Sequence, residues 1–192
     1  MTKLVYGVGI NDGKYPTKIN GKTSKDYDIW QHILARCYSA KAQKRQPAYI
    51  GCSVSTNFQN FSFFSEWCRN QIGFGSHTFQ LDKDLIQKGN KLYSENTCLF
   101  LPSELNKLLT TRKVLRGKLP VGVSAYGNKF LVQCHAGSSI RRLGLFSTVE
   151  EAFNAYKQAK ENYIKAQAEN WKYHIDPRAF TALMAYEVSI SD

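Results

Sequence analysis

Residues 80–109 read QLDKDLIQKGNKLYSENTCLFLPSELNKLL, and the order of residue types in them decides the fold. An apolar strand ends at Leu81, Asp82 and Asp84 stand at its exit, and Gly89 and Asn90 supply a turn. Residues 98–101 then alternate toward a helix opened by Pro102. This is a strand-strand-helix (ββα) unit. In such a unit a side chain at the exit of the first strand and one on the first turns of the helix can reach a common ion, which singles out Asp82 and Asn106 as metal ligands. Hard oxygen donors of this kind suit Mg2+ or Mn2+.

Upstream of this unit, residues 4–10 (LVYGVGI) are β-branched and predict a strand, and residues 14–25 a basic, polar loop. Trp30, Ile33, Leu34 and Cys37 recur at helical spacing and predict a helix over 26–38. After a basic break at 41–46, a strand is expected over 49–55 and a helix over 60–70. Phe61, Phe64 and Cys68 would lie on one side of that helix with Trp67 beside them, as core residues rather than base-stacking platforms.

The order Asp82-Lys83, then Gly89-Asn90, then Tyr93-Ser94-x-Asn96, then Asn106 resembles the HNH (His-Asn-His) motif of phage homing endonucleases. The first half is similar to that family in spacing too, through Arg36-Cys37-Tyr38, Tyr49-x-Gly51-Cys52 and Phe61-x-x-Phe64-x-x-Trp67. The resemblance implies a catalytic set of Asp82, Lys83 and Asn96, with Asn96 holding the loop and Asp82 and Asn106 holding Mg2+ or Mn2+. It also exposes a departure. The family usually has, directly after the first Asp, the histidine that activates the attacking water, and here that residue is Lys83. A lysine ammonium has no lone pair to take the water's proton. The implied site keeps a metal cradle and loses its usual base, so the sequence leaves open whether the chain is an HNH-type DNA endonuclease.

Residues 111–118 lose the apolar pattern and carry Arg112, Lys113, Arg116 and Lys118. They read as a basic linker, which either contacts phosphates along a groove or stands in solvent. A second unit follows over 119–165. Strands are expected at 121–124, 129–135 and 140–146, with turn residues at 126–128 and 137–139. Thr148 and Glu151 form a capping box, and Ala152, Phe153, Tyr156, Ala159 and Tyr163 follow at helical spacing. One helix covers one face of a sheet, and the other face meets solvent or a ligand. With Phe130, Val132 and Cys134 toward the helix, alternation turns Lys129, Leu131, Gln133 and His135 outward, joined by Arg142. Leu143 and Phe146 both suit the helix side yet differ in parity, which demands a bend or bulge near Gly144.

The segments PVGVS, NKFLVQC and RLGLFSTVEEAFNAY resemble the three-stranded DNA-binding domain of plant ethylene-response factors (Apetala-two type), which also occurs fused to phage HNH nucleases. In that family the sheet enters the major groove. Carried over by position, the resemblance makes Ser124, Gln133, His135 and Arg142 base-reading residues and assigns phosphates to Lys129, Arg141 and Lys118. The family's usual arginines and tryptophans are mostly absent from these positions, which implies a different sequence preference.

Composition agrees with a polyanionic partner. The 192 residues carry 26 Lys+Arg against 15 Asp+Glu, a formal charge of +11, and are 43% hydrophobic, enough for a folded core. The opening MTKLVYGVGINDG is neither an export signal nor a spanning helix, and five unpaired-looking cysteines (37, 52, 68, 98 and 134) suit a reducing compartment. The expected location is the cytoplasm of a host bacterial cell, with double-stranded DNA as partner, no membrane association, and a homodimer left open. The expected class is α+β: an HNH-like ββα-containing domain over 1–110, the linker, a three-stranded antiparallel sheet packed on one helix, and a short helical tail over 166–192. The functional expectation is a sequence-specific double-stranded DNA-binding protein acting by occupancy, as a transcriptional repressor does. The alternative is an active, metal-dependent homing endonuclease.

Overall fold

In the computed structural model, residues 3–110, 119–136 and 139–191 are described, so Arg112, Lys113, Arg116 and Lys118 lie outside the described residues. The chain is α+β and divides into two compact units: Met1–Pro102 with His174–Ala179, and Ser103–Tyr173 with Phe180–Asp192.

The first unit is built around helix α1 (Lys25–Tyr38), which follows a small hairpin of β1 (Lys18–Ile19) and β2 (Lys22–Thr23). Trp30, Ile33, Leu34 and Cys37 are buried along α1, as their spacing predicts, and the Trp30 indole donates to the Phe58 carbonyl at 2.7 Å. A short helix α2 (Ala40–Arg45), a 3-10 turn (Pro47–Tyr49) and β3 (Ser53–Val54) come next. Then α3 (Thr56–Gln59) and α4 (Phe61–Arg69) bring Phe58, Phe61, Phe64 and Cys68 into the same core. The side chain of Asn60 accepts from the Phe63 amide and starts α4. β4 (Phe79–Asp82) pairs antiparallel with β6 (Leu99–Pro102), while β5 (Leu92–Tyr93) between them pairs parallel with β3.

Three local expectations are corrected. Residues 4–10 form no strand: Tyr6 and Gly7 take positive φ (50° and 80°) and fold the chain back so that Val5 bridges Gly9, while Ile10 bridges Asn60. The strand expected over 49–55 shrinks to β3, because Pro47 opens a 3-10 turn ahead of it. The loop expected over 14–25 contains the β1–β2 hairpin.

The second unit opens with α5 (Ser103–Leu109) and contains one antiparallel sheet in the order β7 (Val123–Tyr126), β8 (Lys129–Ala136), β9 (Ser139–Phe146). Helix α6 (Val149–Trp171) starts with the predicted capping box and runs past residue 165, and the Trp171 indole donates to Glu104 of α5 at 2.5 Å. α6 packs Ala152, Phe153 and Tyr156 against Val132 and Cys134 of β8. Helix α7 (Pro177–Met184) follows, and the chain then returns to α6. There Val188 enters this core, its amide donating to Glu161 at 2.8 Å and its carbonyl accepting from Lys157 at 3.1 Å. Among the described residues no helix is long and apolar enough to cross a membrane.

Candidate nucleic-acid interface

The register of the three-stranded sheet fixes which side chains share a face, since residues directly opposite each other point the same way. Val132 and Cys134 are buried under α6, so the residues alternating with them, with their cross-strand partners, form the outer face. Four rows result. Lys129 stands opposite Tyr126; Leu131 opposite Ser124 and Leu145; Gln133 opposite Arg142; and His135 opposite Ile140. Between Val132 and Gln133 the register shifts, leaving Leu143 as the extra residue of a bulge beside Gly144. The bulge lets Leu143 and Phe146 both join the helix-side core, and it brings Arg142 outward against Gln133.

Ser124, Lys129, Gln133, His135 and Arg142 therefore share one exposed face. Arg141 sits elsewhere. It is also exposed, but its partner is Cys134, which puts it on the helix-facing side, at the rim of the sheet rather than among the base-reading positions. Arg142 holds its guanidinium 6.0 Å from the centre of the Tyr126 ring, and the Ser124 hydroxyl is occupied by the Leu131 carbonyl at 3.4 Å. The face also presents apolar side chains absent from the sequence expectation: Tyr126 (57% exposed), Ile140 (57%) and Leu145 (47%). Tyr126 reads as a turn residue by composition. The turn is in fact the two residues Gly127-Asn128, so the strand extends to Tyr126.

The electrostatics of this region are one-sided. Residues 105–149, which span all three strands, contain no Asp or Glu and eight Lys or Arg. The strands themselves therefore carry no carboxylate to neutralise Lys129, Arg141 and Arg142 from within the sheet.

The first unit holds Asp82, Lys83 and Asn96 of the HNH-like reading. Asp82 ends β4, and its Oδ1 accepts the amides of Asp84 (2.9 Å) and Leu85 (2.8 Å), which makes it the anchor of the following turn. Burial pushes its carboxyl above the ordinary range, the two amides oppose this, and the Asp84 carboxylate adds to the rise. Lys83 is only 7% exposed, and its ammonium donates to Asp84 Oδ1 and to the Asn90 carbonyl, both at 2.6 Å. The loop is held from Asn90, whose amide donates to the carbonyls of Lys83 (2.9 Å) and Leu92 (2.6 Å) while its Oδ1 accepts the Leu92 amide. Asn96, to which the resemblance gives that task, is exposed on the turn before Cys98. The Gly89-Asn90 turn signal is where sequence could have located the true loop holder.

Asn106 is half-buried on α5 and belongs to the second unit, whereas Asp82 belongs to the first. The described residues contain no group of three or more His, Cys, Asp or Glu side chains placed to hold a metal ion. As a cradle for Mg2+ or Mn2+ the surroundings of Asp82 fit poorly, since one of its oxygens already serves two backbone amides and the next residue is a lysine whose ammonium is fixed on Asp84. The five cysteines are buried free thiols, and burial raises Cys37 and Cys98 to about 12, so they stay protonated.

The chain matches no family model, no curated protein and no solved structure. The functional reading therefore rests on its own residues.

Proposed function

We propose that this chain is a sequence-specific double-stranded DNA-binding protein that acts by occupancy, with the outer face of the three-stranded sheet as its reading surface and an HNH-homing-endonuclease-like frame over its first 110 residues. The observation that carries this reading is the pairing of Gln133 with Arg142 on the exposed face of a sheet that contains no carboxylate. A two- or three-stranded ribbon fits the major groove. There Arg142 offers a guanine two hydrogen bonds and Gln133 offers an adenine two, each worth about 1–3 kcal/mol of discrimination. Ile140 and Leu145, in the rows on either side of this pair, supply the apolar contact that a thymine methyl accepts. Tyr126 restrains the Arg142 guanidinium before DNA arrives, which lowers the entropy lost on binding. Lys129 and the rim residue Arg141 suit phosphates.

Occupancy rather than cleavage is favoured by Lys83. Its ammonium is committed to Asp84 and to the Asn90 carbonyl, an arrangement that fixes a loop and leaves nothing to accept a proton from water.

The test is to capture fragments of sheared viral and bacterial genomes on the protein, then add Mn2+ and resolve the recovered strands on a denaturing gel. A discrete fragment recovered intact is expected. Nicking at one position would instead make the chain an endonuclease whose water is activated by a group other than Lys83. On the captured site Arg142→Ala is expected to weaken binding about 10- to 100-fold, in line with loss of one bidentate base contact, and to change binding to random duplex far less. Equal loss on both would end the base-reading role.

A further inference from the structure

Residues 29–65 also contain no Asp or Glu, and within them Lys41, Lys44 and Arg45 fall on the single short helix α2. Their spacing of three and four residues puts all three on one side of that helix, and all three are exposed. The opposite side is fastened down. Gln43 donates to the Cys37 carbonyl at 2.7 Å and to the Arg36 carbonyl at 3.3 Å, tying α2 to the last turn of α1. Lys91, far along the chain, is brought to the same corner, its ammonium donating to the Ala48 carbonyl at 2.7 Å just beyond the end of α2.

A six-residue helix is too short to persist on propensity, and like charges at these spacings weaken it further. The fold nevertheless holds this self-repelling stripe at the surface through Gln43. An ordinary solvated face would interleave acids with the bases, which is the arrangement that relieves such repulsion. Here residues 29–65 supply no acid to alternate with these bases. We infer that Lys41, Lys44 and Arg45, with Lys91 beside them, form a ridge that grips the phosphates of double-stranded DNA, sequence-independently and separately from the bases read by the sheet. This rests on the DNA-binding reading above. A membrane surface has the same anionic chemistry, but α2 has no large apolar side chain to insert, so a duplex fits it better.

The experiment compares the full chain with Lys41→Gln/Lys44→Gln/Arg45→Gln, and with the charge-preserving Lys41→Arg/Lys44→Arg, on a long duplex of random sequence and on the captured site. The slope of log K against log salt is expected to flatten by about 2–3 in the glutamine variant, roughly 0.9 for each phosphate no longer neutralised. The arginine variant is expected to keep the wild-type slope, and the preference for the captured site over random duplex to stay unchanged in both. A glutamine variant with the wild-type slope overturns the inference, as does a variant whose only loss is binding to vesicles of anionic lipid. Arg142→Ala run alongside separates the two readings. If it leaves preference untouched while the glutamine variant flattens the slope, the sheet reading fails and the ridge stands. If it abolishes preference while the glutamine variant changes nothing, the ridge fails alone. A wild-type chain that binds no duplex overturns both.

Discussion

At the scale of single residues, Asp26 shows how a buried charge is kept. Its carboxylate is 4% exposed at the start of α1, and Oδ2 accepts from the Ser65 hydroxyl at 2.6 Å and from Arg69 at 3.4 Å. Burial pushes the carboxyl up, but the hydroxyls of Ser24 and Ser65, the Tyr27 amide and Arg69 together outweigh it and hold it below its usual 3.8. A depressed value in the folded state means that the ionised group stabilises the fold above the unfolded value, and that this contribution is lost as pH falls through the folded one. Asp26→Asn is therefore expected to lower stability at pH 7 by about 1–3 kcal/mol, the range for a buried hydrogen bond to a charged group. In urea melts repeated at falling pH, the gap between variant and wild type should close below pH ~4. A gap of the same size at pH 3 would mean the charge contributes nothing. None of this pairing was legible in the sequence, because Asp26 and Ser65 meet only through the packing of α1 on α4. Lys83 and Asn90 make the same point. Their residue types and order were visible, but that Asn90 rather than Asn96 ties the loop depends on which carbonyls the fold delivers to its amide.

At the scale of elements, periodicity worked where a long apolar pattern met one neighbour, and failed where backbone geometry overrode it. The conflict in parity between Leu143 and Phe146 demanded a bulge near Gly144, and the register shift lies there. Residues 4–10 have strand composition, yet the positive φ of Tyr6 and Gly7 makes a turn that β-propensity does not report. Gly144 gives a direct check on the bulge. Its φ is 145°, a conformation L residues rarely adopt, while a methyl there would meet the Phe146 ring only at ordinary contact distance, 3.5 Å. The expected penalty for Gly144→Ala is thus backbone strain alone, about 1–3 kcal/mol, read as a lower unfolding midpoint. Because Arg142 faces outward only through this bulge, the same variant is expected to lose preference for the captured site even at temperatures where it stays folded. A destabilised variant that keeps full preference would show that the bulge serves packing and not reading.

At the scale of the whole molecule, charge is distributed more unevenly than the net value suggests. Residues 29–65 and 105–149 hold 12 of the 26 Lys+Arg and none of the 15 Asp+Glu, so the rest of the chain is close to balanced, with 14 bases against 15 acids. The surplus is concentrated in two acid-free stretches, one in each unit. Like charges gathered in this way repel within the folded state, and salt screens them over a Debye length of about 8–10 Å. In the absence of DNA the unfolding midpoint is therefore expected to rise as salt is added from low concentration. With excess duplex the dependence should reverse. A ligand that binds only the folded state stabilises it by RT ln(1 + [L]/Kd), and Kd for a polyanion weakens steeply with salt, by about 10³–10⁵ between 50 and 200 mM for 6–10 phosphate contacts. Thermal melts across a salt series, with and without duplex, should give one rising and one falling curve that converge once the DNA is released. Two curves that rise together would mean that the charge surplus serves solubility, and that neither acid-free stretch meets a nucleic acid.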